Sequence, residues 1–192
     1  MNITSKEALQ MILAFKGSND DRWIKHSICV GNTAGVIAKS LKLDVDYAKT
    51  LGYVHDIGKA VGPFSEHNIN GYNYLKQLGY DEKYYNICLV HSYLNHDYKC
   101  ISGPKPLENS FMEDFIKNYN CSIYEQIINL CDIMCTTTVV TIDKRLIDIM
   151  TRWGVNENTQ YHIVESFKLK AFIDSQLGFN VYDLFPSIKE NL

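Results

Sequence analysis

The sequence predicts an all-α fold, and three observations lead to that prediction. Apolar residues recur at three- and four-residue spacing along most of the chain, as they do on the buried face of amphipathic helices. Glycines and prolines separate these stretches at typical helix lengths. Apart from one possible short strand at 137–142, no stretch alternates as a half-buried β-strand does. We therefore expect one single-domain helical bundle of seven to nine helices.

Capping residues place the helices of the first half of the chain. Thr4 and Glu7 form a capping box, in which each side chain binds the other residue's backbone N–H group. Asp44 or Asp46 can cap the third helix, and Asp81 opens the fifth. The predicted helices, in chain order, cover 4–17, 22–41, a segment from 44 or 46 to 58, 66–78 and 81–91.

A break and a second capping box organise the other half. Gly103, Pro104 and Pro106 predict a loop over 99–106. Ser122 and Glu125 repeat the capping-box pattern ahead of an apolar stretch. The predicted helices that follow cover 122–135, 141–153 and 159–177, and the last two stop at Gly154 and Gly178.

Length and composition describe an ordinary globular chain. At 192 residues and 22.1 kDa, folding buries roughly 70% of the extended chain's surface, enough for one core. Apolar residues at 46% and charged residues at 21% exclude wholesale disorder. No apolar run reaches the about 18 residues of a membrane span, and the N-terminus lacks the layout of a signal peptide. We therefore expect a cytoplasmic protein without membrane contact, whose six cysteines are reduced thiols.

The charge balance bears on possible partners. With 19 basic and 22 acidic side chains, the formal net charge is -3. Binding of long nucleic acid depends largely on neutralising phosphates with basic residues, so this balance argues against such a partner. It does not argue against a small phosphorylated substrate.

The strongest local signal is HDIGK, residues 55–59. Imidazole nitrogens and carboxylate oxygens are ligands of zinc, iron and manganese. Two adjacent side chains cannot easily face one point within a helix, but they can where the last turn opens before Gly58. A lone His-Asp pair means little, because His96-Asp97 is a second one, in a polar stretch that predicts a surface position.

Two more residues extend the pattern. His26 lies in the second predicted helix, and Asp132 lies among apolar neighbours in LCDIMC. A carboxylate buried there needs a cation or hydrogen-bond donors. Taken alone, either residue is more readily explained as a hydrogen-bonded residue of the helical core.

Together these residues resemble the HD-domain superfamily of metal-dependent phosphohydrolases, of the HDIG type. The resemblance runs from Arg22 to about Arg145, some two thirds of the chain. It implies one HD domain over 1–192, with a metal-binding core at about 22–145 and C-terminal helices over 146–192 that pack on it. It also implies that four residues bind one divalent metal: His26, His55, Asp56 and Asp132.

Two histidines between the HD pair and Asp132 point to a subclass. In the binuclear branch of the superfamily, histidines in this interval hold a second metal, and the HD aspartate bridges both ions. His67 and His91 match those positions. The resemblance is closest to small bacterial HD proteins that hydrolyse dinucleoside tetraphosphates at a di-iron centre. It implies two divalent ions, iron first, with manganese, nickel, zinc, cobalt or magnesium as alternatives.

Cationic residues near these motifs are candidates for substrate contacts. Asp56 and Lys59 are the predicted catalytic residues, since Lys59 follows Asp56 by one turn and can stabilise negative charge that develops on a phosphate. Arg22, Lys59 and Arg145 are candidate phosphate-binding residues, although solvated surface positions explain each of them as well. Trp23 and Tyr53 can stack a base, or simply pack within the helices.

The function that follows is hydrolysis of a phosphoester or phosphoanhydride in a small nucleotide-like substrate by a metal-activated water. The alternative is a non-catalytic HD module that binds a nucleotide or a partner helix. We expect a monomer or a homodimer.

Overall fold

The computed structural model describes residues 1–17, 22–101 and 108–190. Within these ranges nine α-helices have nine residues or more and a four-residue helix follows them; the only β-pairing there is an isolated bridge between Cys135 and Val139. The all-α class is confirmed, and the possible short strand at 137–142 does not form beyond that bridge. The helices are α1 Ser5–Leu13, α2 Arg22–Ser40, α3 Val45–Val54, α4 His67–Gln77, α5 Glu82–Val90, α6 Ser110–Asn118, α7 Ile123–Asp132, α8 Ile142–Trp153, α9 Thr159–Leu177 and α10 Ser187–Glu190.

The capping predictions are confirmed by the hydrogen bonds at the helix starts. Glu7 accepts the backbone N–H of Thr4, whose hydroxyl accepts that of Glu7, and Ser122 with Glu125 forms the second capping box. Asp44, not Asp46, caps α3 by accepting the N–H of Tyr47.

Several helix ends differ from the prediction. α1 ends at Leu13, and turns carry the chain from there to Gly17. α5 ends at Val90, so His91 lies just beyond the helix in an extended conformation. α6 occupies a stretch for which no helix is predicted. Much of the loop expected at 99–106 lies outside the described residues, since residues 102–107 are not among them.

The closest helix pairing in the core joins α2 and α3. A Cβ atom added to Gly52 would lie 2.5 Å from the Cα atom of Gly31, so only glycine at this crossing permits the two backbones to approach. α7 packs against both helices, and α9 packs on α7. This arrangement brings the start of α2, the end of α3 and the end of α7 together at one end of the bundle.

The expectations from composition concern the state of the cysteines and the presence of membrane spans. None of the six cysteines forms a disulfide, and Cys88, Cys100, Cys131 and Cys135 are buried. Among the described residues, no helix has both the length and the apolar character that crossing a membrane requires.

Candidate metal centre

The end of α3 places two adjacent side chains at one point. His55 caps the helix, Asp56 leaves helical conformation at φ −103° and ψ 9°, and a 3-10 helix spans Ile57–Ala60. His55 is fully buried and Asp56 is 1% exposed. The opened last turn thus lets both residues face the interior, as the sequence predicts.

Four imidazole rings turn the same nitrogen atom, Nε2, toward the cluster, because the backbone holds the other one. Each ring has its Nδ1 atom within hydrogen-bond distance of a carbonyl oxygen, which can only accept. Nδ1 of each ring can therefore donate to that carbonyl, and Nε2 is left to face the other side chains as a possible ligand. The Nδ1–O distances are 3.1 Å for His26 to Thr136, 2.7 Å for His55 to Gly52, 2.8 Å for His67 to Phe64 and 3.1 Å for His91 to Ile87.

The carboxylate of Asp56 lies between two pairs of these rings. Its Oδ1 atom is 3.4 Å from Nε2 of both His67 and His91. Its Oδ2 atom is 3.5 Å from Nε2 of His55 and 3.8 Å from that of His26. We call the group of His26, His55 and Asp56 site A, and the group of Asp56, His67 and His91 site B; the candidate ligand atoms of each lie within 4.8 Å of one another.

Asp132 adjoins site A from the end of α7. Its Oδ1 atom is 2.9 Å from Nε2 of His26 and 4.0 Å from Nε2 of His55. Its Oδ2 atom accepts the hydroxyl hydrogen of Ser92 at 2.8 Å. The structure therefore brings all six sequence-predicted ligand candidates into one cluster.

The donor atoms fit divalent cations. Nε2 of His55 is buried and has no hydrogen-bond partner among the described residues. Nε2 of His67 and Nε2 of His91 face each other at 3.2 Å, a contact that is repulsive unless a proton or a cation mediates it. Metal–ligand bonds of about 2.0–2.2 Å set neighbouring ligand atoms roughly 3–4 Å apart. The observed spacings lie in this range.

The protonation states suit metal binding. Burial raises the pKa of Asp56, but the charge of Lys59, helped by neighbouring histidines, outweighs it and holds the pKa well below its usual range. Burial also raises the pKa of Asp132, and the hydrogen bond with His26 more than offsets it. Burial lowers the pKa of His55 to about 4 and that of His67 to about 3. At neutral pH the carboxylates are charged and these two imidazoles are neutral, as metal ligands must be.

A cavity of about 770 Å³ opens onto the centre, with His26, Asp56, His67 and Asp132 in its wall. Of the three cationic candidates, Lys59 and Arg145 also line it, and the Lys59 ammonium forms an ion pair with Asp56. Arg22 is exposed at the first residue of α2 and is not among the lining residues, so the cavity gives its predicted contact with substrate no support.

The second His-Asp pair and two aromatic residues singled out in the sequence lie outside the metal centre. His96 is exposed, and Asp97 accepts the N–H of Lys99, which agrees with the surface position expected for this second His-Asp pair. Of the two interpretations of Trp23 and Tyr53, the structure supports packing within the helices and not base stacking, because both are buried and neither lines the cavity. Tyr53 instead packs its ring against Gly31.

Sequence reasoning missed the residues that hold His91 in place. Asn129, one turn before Asp132 on α7, accepts the N–H of Ser92 at 2.7 Å and donates to the carbonyl of Val90 at 3.4 Å. These bonds fix the chain on both sides of His91, where Ser92 has a φ of 70°, unusual for a residue with a side chain. The signal in the sequence is the spacing of Asn129, three residues before Asp132 and so on the same face of α7.

Asn129→Ala should weaken metal binding at site B. Both bonds that flank His91 are lost, and removing a residue that holds a metal ligand in place typically reduces metal affinity about 10- to 100-fold. Competition titrations with a chelator measure the change, and Asn118→Ala, on the exposed end of α6, is the matched control. Equal affinity in the two variants would mean that Asn129 does not position His91.

Comparisons with known proteins agree with this arrangement. The HD domain family model matches residues 23–136. Ribonuclease Y of Fervidobacterium nodosum is 37% identical over 81 residues, which cover 41% of this chain and 16% of that protein. Ribonuclease Y of Symbiobacterium thermophilum is 44% identical over 59 residues, which cover 31% of this chain and 11% of that protein. The chain thus spans about a sixth or less of the length of these relatives, and no solved structure matches it.

The region matched by the family model is more than half of the chain. It encloses HDIGK and every ligand candidate from His26 to Asp132. This chain belongs to the HD domain family.

Proposed function

We propose that the chain is a metal-dependent phosphohydrolase of the HDIG type that holds two divalent ions and cleaves a phosphoester or phosphoanhydride in a small nucleotide-like substrate. The observation that carries the proposal is the position of Asp56, which presents one carboxylate oxygen to site A and the other to site B. This supports a grouping with the small binuclear HD proteins. Iron is the first candidate metal, and manganese, nickel, zinc, cobalt and magnesium are alternatives.

The six clustered side chains would hold the ions, with His26, His55 and Asp132 at one, His67 and His91 at the other, and Asp56 shared. Divalent ions at such a centre supply a Lewis acid for phosphate oxygens and lower the pKa of a water molecule. The backbone carbonyls beside Nδ1 turn Nε2 of all four imidazoles toward the cluster. The chain therefore sets the positions and directions of the candidate ligand atoms before a substrate binds.

Two cationic side chains are placed to bind phosphate. Lys59 lies against Asp56 at the floor of the cavity, and a substrate phosphate offers its ammonium group a second anionic partner. Arg145 binds Asp148 through Nη1 at 2.8 Å, while its buried Nε has no partner among the described residues. A guanidinium group with a donor to spare suits a phosphate oxygen. We assign charge stabilisation to Lys59 and substrate binding to both residues.

The relatives supply a second candidate. Both named relatives are ribonucleases, so the bond cleaved can instead be a phosphodiester of RNA. The cavity volume of about 770 Å³ lies within the usual range for small-ligand sites. Together with the net charge of -3, it favours a small substrate over a long RNA. A non-catalytic HD module is the third possibility, although buried carboxylates among histidines are costly for a mere scaffold.

A substrate screen tests the proposal. Protein purified without chelator is assayed with phosphomonoesters, cyclic nucleotides, dinucleoside polyphosphates and a short RNA. We expect turnover of at least one small nucleotide class, abolished by chelation and strongly reduced in Lys59→Ala, while His96→Ala retains full activity. Turnover of RNA alone would favour the second candidate. Binding of nucleotide without turnover of any substrate, in protein shown to contain metal, would favour the non-catalytic module.

A further inference from the structure

Two large aromatic side chains remain half-exposed at the mouth of the cavity. Phe64 is 53% exposed and Trp153 is 47% exposed, and both belong to the cavity wall. Their rings are nearly parallel, at 21°, with centroids 5.9 Å apart. Apolar surface left open inside a cavity indicates a ligand surface more than scattered exposed residues do.

Trp153, one member of this aromatic pair, belongs to a row of residues along one face of α8. Arg145, Ile149 and Trp153 follow one another at four-residue steps, so they lie along one face of the helix, and all three line the cavity. Arg145 and Ile149 are mostly buried, whereas Trp153 lies at the opening. The wall thus runs from a cation through an aliphatic residue to an indole ring.

Phe64, the other member of the pair, contacts the metal centre directly through a hydrogen bond with His67. The carbonyl of Phe64 accepts from Nδ1 of His67, and the two rings lie 5.5 Å apart. The ammonium group of Lys59 is 4.9 Å from the centroid of the Phe64 ring. The aromatic pair is therefore adjacent to the proposed phosphate-binding groups.

The order of side-chain types along the cavity wall corresponds to the order of the parts of a nucleotide. A phosphate suits the centre with Lys59 and Arg145, a flat aromatic base suits the rim, and the sugar that joins them would pass Ile149. We propose that Phe64 and Trp153 form the base-binding surface of this protein and select substrates that carry a nucleobase. The inference rests on the proposed function, since it takes the phosphate to lie at the metal centre.

Fluorescence offers a direct readout of base binding. The chain has two tryptophans, Trp23 and Trp153, and only Trp153 is open to a ligand. The protein, with the metal it retains on purification, is titrated with AMP, GMP, CMP, UMP and the base-free analogue ribose 5-phosphate. We expect at least one nucleotide to quench the fluorescence and to bind about tenfold more tightly than ribose 5-phosphate, the range in which base stacking on aromatic residues acts.

Variants separate stacking from other effects, with binding measured by calorimetry because Trp153 variants lose the fluorescent group. Trp153→Ala and Phe64→Ala should each weaken nucleotide binding about tenfold and leave ribose 5-phosphate binding unchanged. Trp153→Phe should retain most of the affinity because it keeps an aromatic face. Phe167→Ala, at a similarly exposed phenylalanine on α9 outside the cavity wall, should have no effect.

Two results would overturn the inference: no preference for any nucleotide over ribose 5-phosphate, or equal loss of both ligands in the alanine variants. Turnover of phosphoesters without a base preference would contradict the stacking surface and leave the phosphohydrolase proposal intact. Base-dependent binding without turnover of any substrate would support the stacking surface and contradict the phosphohydrolase proposal.

Discussion

Replacing Gly58 by alanine should lower the free energy of unfolding by about 3 kcal/mol and displace His67 from site B. A Cβ atom at this position would lie 1.8 Å from the carbonyl oxygen of His67 and 2.5 Å from the backbone nitrogen of Gly71. Both atoms belong to the backbone of α4, so neither can rotate away. The helix that begins with His67 must move, and site B loses one of its candidate ligands.

Gly62→Ala provides the matched control, four residues further on. There the added atom would meet only the side-chain amide of Asn70, which can rotate away at the loss of a long, 3.5 Å hydrogen bond to the carbonyl of Pro63. We expect its stability to stay within about 0.5 kcal/mol of the parent. Urea unfolding in the presence of chelator measures stability without the metal contribution, and metal analysis measures the ligand loss. Similar results for the two variants would mean that the contact between the HDIGK turn and α4 does not set the geometry of site B.

Asp56→Asn should abolish turnover, by about a thousandfold or more. In two-metal hydrolases the ions contribute several kcal/mol of transition-state stabilisation, and Asp56 is the residue that both candidate sites share. Its isosteric amide keeps the shape of the side chain but removes one ligating oxygen and the negative charge. Lys59 also loses its ion-pair partner. We expect both sites, not one, to lose affinity for metal.

The second His-Asp pair supplies the control for this variant. Asp97 accepts the N–H of Lys99 outside the cluster, so Asp97→Asn should leave turnover and metal content unchanged. Steady-state kinetics on the substrate found in the screen gives kcat and KM for both variants. Parent-like kcat in Asp56→Asn would contradict the role of Asp56 in the reaction.

The features that the sequence predicts well are local ones. Each capping box lies within four residues, so Thr4 with Glu7 and Ser122 with Glu125 could be read without knowledge of the fold. The six ligand candidates were found because the family pattern fixes their order along the chain. Their convergence at one point depends on contacts between helices, such as the crossing of Gly31 and Gly52, which no local pattern reports.

The features that the sequence did not reveal arise from tertiary contacts. Asn129 positions His91 from 38 residues further along the chain, so neither residue alone indicates the bond network around Ser92. Phe64 and Trp153 are 89 residues apart and meet only because α8 packs beside the turn that precedes His67. The aromatic residues suggested from sequence, Trp23 and Tyr53, lie close to the motifs along the chain, but their side chains point into the core.

Metal content is the most direct test of the central claim, that one cluster of six side chains holds two divalent ions. Protein purified anaerobically without chelator should contain about two divalent ions per chain, and His67→Ala should contain about one. Zero or one ion in the parent protein after reconstitution with iron or manganese would contradict the shared role of Asp56 between sites A and B.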